Sequence, residues 1–144
     1  MMTPCKRLYY AVEAVLYIAY HADSKPVSSR EIARQQHLPD RHLEQIMQLL
    51  VHGGILRGVR GPRGGYQLEK SGMKASVRTL YDLLNEDDVI AELPPTTELG
   101  NRIVRPMWET MFGHAKEQME SVTIADLCQQ AKEQKIPHNR PYKL

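Results

Sequence analysis

Cysteine is scarce in this chain of 144 residues, which holds only Cys5 and Cys128, far apart in sequence. That excludes a disulfide-rich scaffold, and it excludes a zinc ribbon or four-cysteine cluster built within one chain. Long apolar runs are missing too. No stretch approaches the roughly 18–20 apolar residues that cross a membrane as a helix. The N-terminus, Met-Met-Thr-Pro-Cys-Lys-Arg, leads into an apolar run broken by Glu13, which does not read as a signal peptide. These absences point to a cytoplasmic protein with no membrane partner. Catalytic signatures are also lacking: there is no phosphate loop, nucleophile elbow or His-Glu-x-x-His, so the chain is not expected to be an enzyme. The histidines at 21, 37, 42, 52, 114 and 138 show no metal-ligand spacing beyond the weak His114/Glu117 pair. No metal site is expected.

What is present is an ordinary globular composition, 42% hydrophobic and 25% charged. A chain this long can bury about 68–70% of the surface its unfolded form exposes. The net charge of +2 hides an asymmetry. From Lys25 to Lys70, eight basic residues face four acids, a local excess of +4, so the remainder carries −2. Between Asp82 and Glu98, six acids face no basic residue. A basic excess confined to one segment is the electrostatic footprint expected for a polyanion partner.

Hydrophobic spacing predicts a helix over 6–22, with Leu8, Ala11, Val12, Val15 and Ala19 on one face. Ser28 and Glu31 form a capping-box pattern that opens a short helix to about Gln36. His37-Leu38-Pro39 turns the chain into a second helix from about Asp40 to His52, apolar at Leu43, Ile46, Met47 and Leu50. The period then switches. Residues 55–60 and 66–69 read as strands around the turn Gly61-Pro62-Arg63-Gly64-Gly65. A helix follows over about 77–85. An acidic linker is expected at 86–101, a long helix from Arg102 to about Glu120, and a short helix capped by Thr123.

Two short helices, a three-residue turn and a basic hairpin describe a winged helix-turn-helix, mainly α with a small β-hairpin wing. Residues 1–85 would form the DNA-binding domain, 86–101 the linker loop, and 102–144 a dimerisation helix followed by a C-terminal helix. In such folds the second helix enters the major groove of double-stranded DNA. Arg41, His42, Glu44, Gln45 and Gln48 carry donors and acceptors suited to base edges. Ser28, Ser29 and Arg30 stand where a helix N-terminus can hold a phosphate. Arg57, Arg60 and Arg63 of the wing can reach the backbone or minor groove, with Tyr66 beside them. The long helix carries Val104, Met107, Trp108, Met111, Phe112, Ala115 and Met119 on more than one face, which predicts burial against a second copy. A homodimer would read a palindrome.

The segments Leu8-Tyr9-Tyr10-Ala11-Val12, Pro26-Val27-Ser28, Arg30-Glu31-Ile32-Ala33, Leu43-Glu44-Gln45-Ile46 and above all Val59-Arg60-Gly61-Pro62-Arg63-Gly64-Gly65-Tyr66 resemble the Rrf-2 family of bacterial transcription regulators. The resemblance covers residues 6–85 strongly and continues weakly through Thr123-Ile124-Ala125-Asp126-Leu127. It implies a dimeric winged helix-turn-helix with crossing long helices. On this likeness, recognition falls to Arg41, His42, Glu44 and Gln45, and the groove-reaching wing role to Arg60, with Arg63 and Tyr66 beside it. Many members of the family hold an iron–sulfur cluster on three cysteines in the loop before the long helix. Here that loop, Glu86 to Arg105, has none, and Arg105 stands where a histidine ligand is found in one branch. Thiolates are the ordinary cluster ligands and a guanidinium is not one, so no cofactor is expected. Cys128, on an apolar helix face, reads as a small hydrophobe, and Cys5 as part of an N-terminal arm. A repressor with an unknown small-molecule or redox effector is the leading expectation. A winged-helix protein-interaction module and a redox regulator using Cys5 remain the alternatives.

Overall fold

A computed structural model describes residues 4–21, 25–85 and 96–138. Its elements run α1 (Pro4–Tyr20), α2 (Ser29–Gln36), α3 (Asp40–His52), β1 (Leu56–Val59), β2 (Gly65–Leu68), α4 (Val77–Leu84), α5 (Arg105–Ser121) and α6 (Ile124–Glu133). Short 3-10 and π turns precede α4 and α5 respectively.

The helix-turn-helix forms for local reasons. Ser28 Oγ accepts from the Glu31 N–H at 3.1 Å and caps α2. His37, in the left-handed region at φ 55°, closes its other end. Pro39 stands at the entry to α3, and Asp40 complements the positive end of that helix. Leu43, Ile46, Met47 and Leu50 are the buried residues of α3, the four that its spacing predicts. The strands pair antiparallel with Leu56 opposite Leu68 and Gly58 opposite Tyr66. Val27 adds a third rung: its N–H donates to Tyr66 O at 2.9 Å, and its O accepts from the Tyr66 N–H at 2.8 Å. The wing is thereby tied to the residue before the α2 cap.

Three expectations change. Cys5 lies in the first turn of α1 and not in an arm. The long helix begins earlier than Arg102, since residues 98–99 are already helical and run through the π turn Gly100–Val104 into α5. Thus 98–101, placed in the linker, are helical; 86–95 lie outside the described residues. The C-terminal helix does not belong with the long helix. Ile124 is fully buried, and Cys128 and Ala131 join it in the same core as Val15, Leu43, Leu50 and Leu80. This docking is zipped by backbone: the Val77 N–H donates to Val122 O at 2.9 Å and the Ile124 N–H to Ala75 O at 3.0 Å. Thr123 and Asp126 complete a full capping box at the start of α6. One core is therefore assembled from both ends of the chain.

The long helix α5 leaves its apolar face open within the chain, as its spacing predicts. None of its residues is buried. Its C-terminal end is joined to α4 through Arg78, which bridges Asp82 at 3.0 Å and Glu120 at 3.5 Å. Leu99, Ile103, Met107 and Met111, each four residues on, are exposed by 72, 65, 49 and 57%. Packing of Trp108 and the methionines is thus not completed inside one chain.

Candidate nucleic-acid interface

An open cleft of about 390 Å³ lies between α2, α3 and the wing. Ser28 and Ser29 form one wall, Glu44 and Gln48 of α3 a second, and Arg60 with Tyr66 a third. Glu44, Gln48 and Val51 line it because steps of four and three residues place them on one stripe of α3. That stripe lies beside the one buried in the core.

Glycine permits the third wall. At Gly65 an added Cβ would lie 2.5 Å from Val27 O, so any side chain would break the rung that holds the wing. Gly61 has φ 113°, a conformation open to glycine, and its carbonyl accepts from the Gly64 N–H at 2.9 Å to close the tip. Tyr66, half-buried in the cleft, has its phenol pKa raised above 10.0, by burial first and by the negative charge of Glu44 second. Glu44 and Tyr66 line the same cleft, so the wing and α3 face one another there.

Six of the expected DNA-binding residues therefore converge: Ser28, Ser29, Glu44, Gln48, Arg60 and Tyr66. The others stand around the cleft without lining it. Arg41 and Gln45 are exposed on the neighbouring stripe of α3, while His42 is half-buried. Arg30 is exposed and lies 3.6 Å from Asp40 across the helix-turn-helix turn. Arg57 donates from Nε and Nη2 to Gln67 Oε1 at 3.2 and 3.0 Å, which holds it over its cross-strand partner. Arg63 is exposed at the wing tip. Sequence reasoning missed the cleft lining at Val51, Gly58 and Val59, and also the bridging part of Val27. A Pro-Val pair before a serine cap was the available signal for Val27, but a single rung has no periodicity to reveal it.

A capped helix pair crossing beneath a basic, glycine-built wing, with polar side chains of the second helix outward, defines a helix-turn-helix transcription regulator. The chain matches the Rrf2 family, described as an iron-dependent transcriptional regulator, over residues 5–130, and it belongs to that family. It is 33% identical over 121 residues to a helix-turn-helix type transcriptional regulator of Haemophilus influenzae, covering 82% of this chain and 81% of that one. Among solved structures, IscR of T. potens superposes with a TM-score of 0.71 at 27% identity, covering 91% of this chain and 89% of the other. CymR, the global cysteine regulator of B. subtilis, shares the fold with a TM-score of 0.70 at 23% identity, over 90% and 98% of the two chains.

Proposed function

We propose that this regulator is a cytoplasmic homodimeric repressor that binds a palindromic promoter site. The observation that carries the DNA reading is the cleft, where the α2 cap, the outer stripe of α3 and the Arg60 wall meet. In this reading Arg41, Glu44, Gln45 and Gln48 address base edges, with His42 at the margin, and Arg60 reaches the minor groove. Ser28, Ser29, Arg30, Arg57 and Arg63 address phosphates and supply the salt-dependent part of the affinity. Dimerisation is supported by the exposed stripe of Val104, Met107, Trp108 and Met111. Phe112, tilted against Trp108 at a ring distance of 5.1 Å, belongs to the same surface. Ala115 and Met119 continue it down the helix. A large contiguous apolar surface in water marks an interaction site, and a second copy covers both stripes at once by twofold symmetry.

The family's description as iron-dependent raises the question of a cluster. The donor set here does not suit one. No cysteine lies between Glu86 and Arg105. Cys128 is buried and its thiol pKa is pushed above 9.0 by that burial, partly offset by Lys132, which disfavours the thiolate a cluster needs. Among the described residues no group of three His, Cys, Asp or Glu could hold a metal ion. We propose that this member regulates without an iron–sulfur cluster.

Gel-shift titration of the protein against its own upstream DNA at low salt tests the first reading, with retardation expected and its absence at micromolar protein fatal to it. For the second, anaerobic iron–sulfide reconstitution is expected to leave the protein colourless; a stable brown protein would overturn it.

A further inference from the structure

Beside the cleft lies a buried carboxylate. Glu31 is 1% exposed. Burying a charged carboxylate is costly unless hydrogen bonds hold it. Its Oε2 accepts from the Tyr17 hydroxyl at 2.7 Å, while its own N–H donates to Ser28 Oγ at 3.1 Å. One residue thus joins α1 to the N-cap of α2. Tyr17 is held in turn, because its ring lies 4.5 Å from that of His21. His21 Nδ1 donates to the His138 carbonyl at 2.7 Å, so contact is continuous from the segment after α6 to the α2 cap. Ser28 and Ser29 are the wall of the cleft that faces Arg60, and Val27 beside them carries the wing through Tyr66. The Tyr17–Glu31 bond therefore fixes the first turn of α2 against α1, next to the residue that carries the wing.

We propose that Tyr17 and Glu31 are positioning residues for DNA: they touch no nucleic acid, and they set the register in which the α2 cap meets a phosphate. The inference rests on the DNA reading of the cleft and deepens it. A binding site loses strength when its supporting contacts let it shift by about 0.5 Å or more. The Tyr17–Glu31 bond is such a support, joining α1 to the α2 cap.

The test measures affinity for the upstream DNA against salt concentration, corrected to the active fraction by stoichiometric titration. Tyr17→Phe keeps the ring against His21 and loses only the hydroxyl. It is expected to weaken binding about tenfold and to reduce the salt slope by about one phosphate contact. Glu31→Gln keeps an acceptor for Tyr17 and is expected to stay within about twofold of the parent. Glu31→Ala should behave as Tyr17→Phe; if it does not fold, the other two variants decide. A merely structural role would lower the active fraction and leave affinity and salt slope unchanged. That result in Tyr17→Phe, or a Glu31→Gln as weak as Tyr17→Phe, overturns the inference alone. Parent protein that binds no DNA overturns the DNA reading and this inference with it.

Discussion

The helix-turn-helix with its wing and the long helix α5 solve the same problem in opposite ways. In the first, every apolar stripe finds a partner within the chain: α3 buries Leu43, Ile46, Met47 and Leu50 and turns its polar side chains outward. In the second, none of the residues of α5 is buried, and Met107, Trp108 and Met111 are exposed to water. The first region is complete in one copy and ends in a polar cleft. The second leaves an apolar surface open, which the proposed dimer would cover. On the dimeric reading proposed above, affinity for DNA has two separable sources: the shape of each cleft and the joining of two clefts.

The comparison breaks most visibly at Trp108. Trp108→Glu places a charge in the exposed stripe and is expected to give a monomer by sedimentation. Loss of bivalent binding should then weaken operator affinity by about a hundredfold or more, while circular dichroism of the helices stays near that of the parent. A dimer that persists in Trp108→Glu would mean that the stripe is not the interface. Next in size, Ile124→Ala asks whether the C-terminal helix belongs to the first region. Ile124 is fully buried, so the substitution is expected to cost about 2–5 kcal/mol in denaturant unfolding. A loss near zero would detach α6 from the core.

Arg60→Ala acts on the cleft alone. It should cost about 1–3 kcal/mol of binding to the upstream site and relax selectivity there, with the thermal midpoint unmoved. Equal losses on specific and random DNA would recast Arg60 as a phosphate contact. The smallest effect is expected at Cys128. Its folded pKa is raised by burial, so the protonated thiol contributes stability that is present below pH 9 and lost as pH rises through the folded value. Cys128→Ala should remove only that weak alkaline dependence in unfolding curves from pH 8 to pH 10. In the folded parent, thiol alkylation of Cys128 should be slow; rapid alkylation without unfolding would contradict its burial.

Periodicity, capping and turn chemistry made much of the fold legible. The buried stripe of α3, the Ser28 cap and the hairpin around Gly61–Gly65 depend on neighbours within a few residues, and those interactions are written in local order. The basic excess between Lys25 and Lys70 pointed to a polyanion partner, and the Val59–Tyr66 segment above all carried the family likeness. Half of the expected interface residues converge on the cleft: Glu44 and Gln48 share one stripe of α3, legible from spacing, whereas Ser28 and Ser29 meet Arg60 and Tyr66 through the Val27–Tyr66 rung, which is not. Arg57 could not be placed from sequence, since its cross-strand partner Gln67 depends on hairpin register.

By itself, then, the sequence determined the elements, the basic reading unit and the want of cluster ligands in the loop before α5. Only the tertiary structure decided that α6 completes the N-terminal core, that Val27 holds the wing, and that Glu31 is buried against Tyr17. The physical reason is range. Helix caps and apolar stripes act over one or two turns of chain, whereas a core joining Leu43 to Ile124 is settled by which surfaces exclude water together.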